Sequence, residues 1–372
     1  MLSEKTIAVI IPAYNEETQI RRVLDTMPEF VDRMIVVNDC STDQTAQVVQ
    51  DYMDSQCQDT VELRRASYSV EERTLYNRAD VIVQQRNRDE QQYFTPADVV
   101  NPHPHTERII LINHRNNAGV GAAVATGYKW CKDYGIDCAA VMNGDGQMDP
   151  AELESICRPV VDGEVEYVKG NRLRHPSARL VIPKVRLIGN SILSLVTSMC
   201  SGYWRMSDSQ SGYTAISKKA LNAIALHKIY PSYGMPNDML VKLNIACCTI
   251  REVESKPVYH VGEQSKMNES KVFFHIYWLL IAGFFQRLWG KHFFHPLFVF
   301  YHLGLFFFGV SLPYLWKIVN LAIIQGQAVN PVTLLVFMFL FTTGVQAIIW
   351  GLWMDIQENE RLYTREERQR SH

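Results

Sequence analysis

The sequence predicts an α/β domain with a parallel sheet covered on both faces, followed by interfacial helices and two membrane-spanning helices. Three observations carry this reading. Apolar runs alternate with stretches of helical spacing through the N-terminal part. Four of those runs end in polar tips. From Ser265 onward the chain turns strongly apolar and aromatic.

The first run, "TIAVIIP", is a continuous apolar strand, and "EETQIRRVLDTM" after it spaces Ile20, Val23, Leu24 and Met27 as one helical face. "RMIVVND" reads as a second buried strand. "STDQTAQVVQDYM" follows it as a helix that Ser41 or Thr42 can cap. "RIILINH" resumes the pattern at Arg108, "GVGAAVATGYKWCKDYG" is helical, and "CAAVMNGD" is a further strand. Near-continuous apolar strands are those buried on both faces of a parallel sheet. Ligands of open α/β sheets bind outside the carboxyl ends of the strands. The tips Asn15-Glu16, Asn38-Asp39, His114–Asn117 and Asn143–Asp145 therefore map one site.

Residues 57–107 form a polar insertion where a few residues would suffice. "SVEERTLYNRADVIVQQRN" carries helix and "PADVVNPHPHTER" reads as a loop. His103 and His105 have the chemistry of metal ligands, but without a third ligand the plainer reading is a solvated loop.

A chain of 372 residues has ample length for a buried core, and a net charge of −2 gives no reason to expect a nucleic-acid partner. Eight cysteines without a CxxC pair fit reduced thiols facing a cytosol. The N-terminus lacks the basic and apolar regions of a cleaved signal peptide.

In the C-terminal part, Val272–Phe285 is too short to span and suits the membrane interface. Tyr277, Trp278 and Trp289, with Arg287, Lys291 and His292 beside them, suit headgroup level. Pro296–Trp316 and Pro331–Trp353 are long enough to cross. Arg361, Arg365, Arg368 and Arg370 follow the second span, against Lys317 alone between the two. The positive-inside rule places the tail and the N-terminal domain in the cytoplasm. The expected division is 1–265 for the α/β domain, 266–295 at the interface, 296–354 in the spans and 355–372 as a cytoplasmic tail.

The tips suggest chemistry individually. Asp39 is placed either to accept from a base or ribose, or to cap the following helix. "NNAGVGAAVATG" resembles a glycine-rich turn that approaches phosphate. In "NGDGQMDP", Asp145 and Gln147 offer oxygen to Mg2+ or Mn2+, with substrate phosphates completing the shell; a plain Asp-Gly turn is the alternative.

Taken together, "VIIPAYNEE", "VVNDCSTDQT", "NAGVGAAVATGY" and "GDGQMDP" resemble the nucleotide-sugar half of family-two glycosyltransferases, which have the Rossmann-like GT-A fold. "YVKGNRLR", "PKVRLIGNSILS", "DSQSGYTAISKKAL" and "EQSKM" resemble dolichyl-phosphate mannose synthases and bacterial polyprenyl-phosphate hexose transferases. The resemblance implies that Pro12, Tyr14, Asn15 and Glu16 wrap the nucleotide, with Asn117 and Gly119 beside them, and that Asp39 meets the base. It implies that Asp145 and Gln147 bind the metal, with Asn143 where the family's usual Asp-x-Asp has its first acid. It gives Arg172, Arg186 and Lys266 phosphates of donor or acceptor, and Ser211 with Gly212 the acceptor side. Asp238 stands near where many relatives place a glutamate.

The resemblance thus implies an inverting, metal-dependent transfer of a hexose from a UDP- or GDP-sugar to undecaprenyl or dolichyl phosphate at the cytoplasmic face of a membrane, that of a bacterium by its C-terminal layout. Phosphate chemistry agrees. A phosphate monoester is mostly dianionic at neutral pH and needs little help from a base, so a site with few acids and several cations suits it. Transfer to a sugar hydroxyl and a non-catalytic scaffold with a degenerate pocket remain as alternatives. The "QRLWG" at Gln286–Gly290 is out of order for the Gln-x-x-Arg-Trp of processive synthases. The sequence leaves sugar, nucleotide, lipid length and any homo-oligomer open.

Overall fold

The computed structural model describes residues 2–56, 61–65, 74, 76–258 and 269–364, with backbone alone at 185, 186 and 269–274. Lys266 and the tail arginines Arg365, Arg368 and Arg370 lie outside the described residues.

β1 (Ile7–Ala13) is buried throughout. Its alternating side chains serve two cores: Ala8 and Ile10 join one cluster, and Ile7, Val9 and Ile11 join the other. α1 (Ile20–Asp25), β2 (Arg33–Asn38) and α2 (Thr45–Ser55) complete the first units. Neither Ser41 nor Thr42 caps α2, contrary to the sequence expectation. Asp43 instead accepts from Thr45 N (3.0 Å) and Thr45 Oγ1 (2.6 Å), while Ser41 Oγ accepts from Asn15 N (3.0 Å). The two residues expected to start a helix are spent joining two strand tips.

The described part of the insertion contributes α3 (Arg78–Asp89) and a short strand, β3 (Ala97–Val99), within the stretch read as a loop. β3 pairs antiparallel with β4 (Ile109–His114) and covers that edge. Fully buried Arg33 pins the insertion's ends, donating to the carbonyls of Val61 (2.6 Å) and His105 (3.0 Å). Glu90, buried at the end of α3, pairs with Lys132 (2.9 Å) on α4 (Val120–Asp133). His103 and His105 face each other at 6.2 Å, with no metal-ligand trio around them among the described residues.

β5 (Cys138–Val141), α5 (Leu153–Val161), β6 (Tyr167–Asn171), α6 (Ala178–Val181), α7 (Lys184–Ser201), β7 (Thr214–Ser217), α8 (Lys218–Ala223), α9 (Met235–Ile245) and β8 (Ile250–Glu254) follow. The sheet order is β3-β4-β2-β1-β5-β7-β6-β8. The expected parallel arrangement holds for β4-β2-β1-β5, whose carboxyl ends share one edge. β7 runs antiparallel between β5 and β6, so the whole sheet is mixed.

α10 (Glu269–Lys291) packs on α7 and α9. α11 (Pro296–Val319) and α12 (Pro331–Asn359) form an antiparallel pair, and among the described residues these two helices are long and apolar enough to cross a membrane. Small residues let them touch: a Cβ on Gly304 would lie 3.0 Å from the Gly344 carbonyl, and one on Gly344 would lie 2.9 Å from Phe308 N.

Arg287 was expected at headgroup level, but it is 1 % exposed. It grips Asp355 of α12 with both Nη atoms (2.6 and 2.7 Å) and donates to the Cys200 and Met199 carbonyls at the end of α7 (3.0 and 3.3 Å). His292 is likewise buried, 3.2 Å from Glu358. Removing one partner of a buried pair costs about 3–5 kcal/mol. Arg287→Met should therefore lower the thermal unfolding midpoint in detergent sharply, and Arg287→Met/Asp355→Leu should recover much of the loss. An unchanged midpoint in the single variant would show that the pair is not structural.

Candidate active site

The tips of β1, β2, β4 and β5 enclose a cavity of about 340 Å3, within the range of small-molecule sites. Pro12, Ala13, Tyr14 and Glu16 line it from β1, Asp39 from β2, Asn117 and Gly119 from the β4 side, and Asn143, Gly144 and Asp145 from β5. Ser232 and Tyr233, from the loop before α9, complete the wall. Nothing in the local sequence marks those two, because the long return of the chain alone brings them there.

Asn15 supports the wall rather than lining it. It adopts φ 55°, its Oδ1 accepts from Thr42 N (2.8 Å), and its N–H meets Ser41. Glu16 N–H donates to Thr45 Oγ1 (2.8 Å), so the first two tips are tied together.

Asp39 neither caps α2 nor stands open. Its carboxylate accepts from His114 Nδ1 (2.7 Å), Ala118 N (2.9 Å) and Gly119 N (2.7 Å). Burial alone would raise its pKa, but these hydrogen bonds outweigh burial and hold the carboxyl below its ordinary range. Asp39 thus fixes the turn that enters α4.

The next donors of that turn are also taken. The Pro231 carbonyl accepts from Gly121 N (2.8 Å) and Ala122 N (3.2 Å). Gly119, at φ +93°, and Gly121 permit this contact: a Cβ on Gly121 would sit 2.0 Å from the Tyr230 carbonyl. The phosphate approach suggested by "NNAGVGAAVATG" is therefore corrected. These glycines admit another loop of the protein, and the N–H groups that would hold phosphate hold Asp39 and Pro231.

Asp238 lies outside the cavity lining. Its Oδ2 accepts from Tyr230 N (2.7 Å) and its Oδ1 pairs with Lys242, so it anchors the same loop from α9.

At the β5 tip, Asp145 Oδ1 accepts from Gln147 N (3.0 Å). Gln147 supports this turn and does not line the cavity. One carboxylate beside the Asn143 amide is an all-oxygen donor set suited to a hard divalent cation that also binds substrate phosphate. Asp149, further along, caps the next turn and pairs with Lys256 (2.9 Å).

Gly212 packs beside Asn143, where a Cβ would lie 3.8 Å from both amide atoms, so Ser211-Gly212 borders the cavity. The Ser211 carbonyl accepts from Lys169, a fully buried lysine of β6 that the sequence reading passed over. Burial pushes its ammonium down to about 8. Arg172 forms a two-point pair with buried Asp208 (3.0 and 3.2 Å). Arg186 lies on α7, its side chain not described.

α7 also carries a feature that motif matching missed. Ile188, Ile192, Leu195 and Met199 are exposed at helical spacing, on the helix against which α10 packs. Their period was legible, but their exposure was not.

Gly121→Val should displace the Tyr230–Gly234 loop and weaken nucleoside diphosphate binding at least about tenfold by calorimetry. Wild-type affinity in a folded variant would mean that the loop does not shape the cavity.

The family model for glycosyl transferase family 2 matches residues 8–66 and 94–225, passing over much of the insertion. The chain is similar to the UDP-N-acetylglucosamine–dolichyl-phosphate N-acetylglucosaminyltransferase of Methanococcus voltae, 27 % identical over 281 residues covering 75 % of this chain and 96 % of that one. It is also similar to an uncharacterized protein of Methanocaldococcus jannaschii, 23 % identical over 259 residues covering 69 % and 84 %. Among solved structures it is similar to the glucosyl-3-phosphoglycerate synthase of Mycobacterium tuberculosis in complex with UDP, with TM-score 0.46, 17 % identity, and 76 % and 81 % of the two chains covered. With its mixed sheet of GT-A type and more than half its length matched by the family model, this chain is a glycosyltransferase that belongs to glycosyl transferase family 2.

Proposed function

We propose that this protein transfers a hexose or N-acetylhexosamine, with inversion, from a nucleotide sugar to a polyprenyl phosphate. The observation that carries this reading is one continuous arrangement. A cavity with Asp145 at its β5 tip lies at the sheet edge where β6 also ends, before Arg172, and two apolar helices long enough to cross a membrane follow in the chain. The dolichyl-phosphate N-acetylglucosaminyltransferase among its relatives supports a lipid phosphate acceptor and widens the sugar class beyond plain hexoses.

In this reading Pro12, Tyr14, Glu16, Asn117 and Gly119 form the nucleotide wall, and Asp39 holds that wall in shape. A non-bridging oxygen of the acceptor phosphate forms the new bond to the anomeric carbon. The bond from that carbon to the donor diphosphate breaks, and the nucleoside diphosphate leaves with the electron pair. The acceptor is already ionised, so no protein base is needed, consistent with Asp238 being engaged elsewhere. Asp145, with the Asn143 amide oxygen beside it, would hold Mg2+ or Mn2+, which would neutralise charge on the departing diphosphate, and Gln147 would support that turn through its backbone. Arg172, with Arg186 and Lys266 by family resemblance, handles the remaining phosphate charge. The arginine-rich tail favours a cytoplasmic site.

Membranes containing the protein should convert labelled UDP-N-acetylglucosamine, UDP-glucose or GDP-mannose, together with polyprenyl phosphate, into an organic-soluble product that EDTA abolishes. Asp145→Asn should lower the rate at least about a hundredfold, the scale of losing one electrostatic stabiliser. Failure with every donor, or full activity in that variant, would refute the reading.

A further inference from the structure

After the second apolar helix the chain returns to the sheet. Tyr363 forms a parallel bridge with Ile250 at the start of β8, and Thr364 N–H donates to the Ile250 carbonyl (2.9 Å). Leu362 is buried beside it. Beyond these contacts, the Tyr363 hydroxyl has two polar partners. It donates to Glu252 Oε2 (3.0 Å) and accepts from Arg174 Nη2 (3.2 Å). Arg174 also lies 3.4 Å from that carboxylate oxygen.

Glu252 is buried and organises the loop that follows α7. It accepts from Ser207 N (3.0 Å), Ser207 Oγ (3.1 Å) and Asp208 N (2.9 Å). Asp208 in turn grips Arg172. A continuous run of hydrogen bonds thus leads from the end of the membrane hairpin, through Glu252, to two arginines. Arg172 is held by Asp208, and Arg174 is held by Tyr363 and Glu252. The Arg174 side chain is 43 % exposed, and its contacts to Tyr363 and Glu252 are both made through Nη2. Tyr363 is protonated at neutral pH, and burial raises its pKa further.

We propose that Arg174 is a second phosphate-binding residue for the lipid acceptor, and that Tyr363 is a positioning residue that presents it beside Arg172. The inference rests on the lipid-phosphate reading above. It adds that the segment beyond the second apolar helix is a working part of the acceptor site.

The test is equilibrium binding of a short-chain polyprenyl phosphate to the full-length protein in nanodiscs, without donor, with UDP and GDP binding measured in parallel. Arg174→Ala and Tyr363→Phe should each weaken lipid-phosphate binding about three- to tenfold, the scale of one hydrogen bond. Nucleotide affinity should not change. The double variant should be little worse than Arg174→Ala alone, because Tyr363 acts through Arg174. Wild-type protein that fails to bind the lipid phosphate would overturn the acceptor reading and this inference with it. Wild-type binding that Tyr363→Phe leaves intact, with or without a lower unfolding temperature, would overturn this inference alone and leave Tyr363 a tail anchor.

Discussion

A guanidinium placed beneath three helices is costly unless its charge and its donors are met, and Arg287 meets both demands at once. Asp355 supplies the opposite charge, and the last carbonyls of α7 take further donors at the negative end of that helix dipole. Trp204 Nε1 and Asn359 Nδ2 also donate to the Asp355 carboxylate, at 3.3 and 2.8 Å. Lys291 links Asn244 to Asn359 one turn away (3.1 and 3.0 Å). α7, α9, α10 and α12 therefore share one polar knot, and the relation between the α/β domain and the apolar hairpin follows from it.

A second constraint shapes the cavity. The start of α4 is filled by the protein's own acceptors, a carboxylate from one side and a carbonyl from the other. Between them they take the N–H groups of Ala118, Gly119, Gly121 and Ala122. Asp145 and Asn143 line the same cavity from the β5 tip. The cavity wall is thus built of strand tips that hydrogen bonds tie to one another.

Much of this was legible in the sequence. Apolar runs with polar ends gave four strands and the edge on which the site lies, because strand burial and chain direction are written locally. The two apolar helices were legible from length alone. Engagement was not. Asp39, Asp238 and Arg287 look like available charges in sequence, yet each is engaged: Asp39 and Arg287 by partners many residues away, Asp238 by the nearby Tyr230 N–H and Lys242. The glycines of "NAGVG" carry the same letters whether phosphate or the Pro231 carbonyl approaches them. β3 was hidden in a stretch with proline and histidine, since an edge strand of three residues leaves no periodicity to detect.

The apolar hairpin is fastened to the α/β domain twice, by α10 on the way out and by Tyr363 on the way back. A body held by one tether can swing, whereas one held by two keeps its height. In a bilayer the cavity would then stand at a set elevation above the acyl chains, and encounter with a lipid phosphate would become a search in two dimensions. Dissolved sugar phosphates share the chemistry of that acceptor but not its altitude. Under the proposed lipid-phosphate reading, the double fastening would make the protein a gauge of depth, selecting its acceptor by where the phosphate sits as well as by what it is.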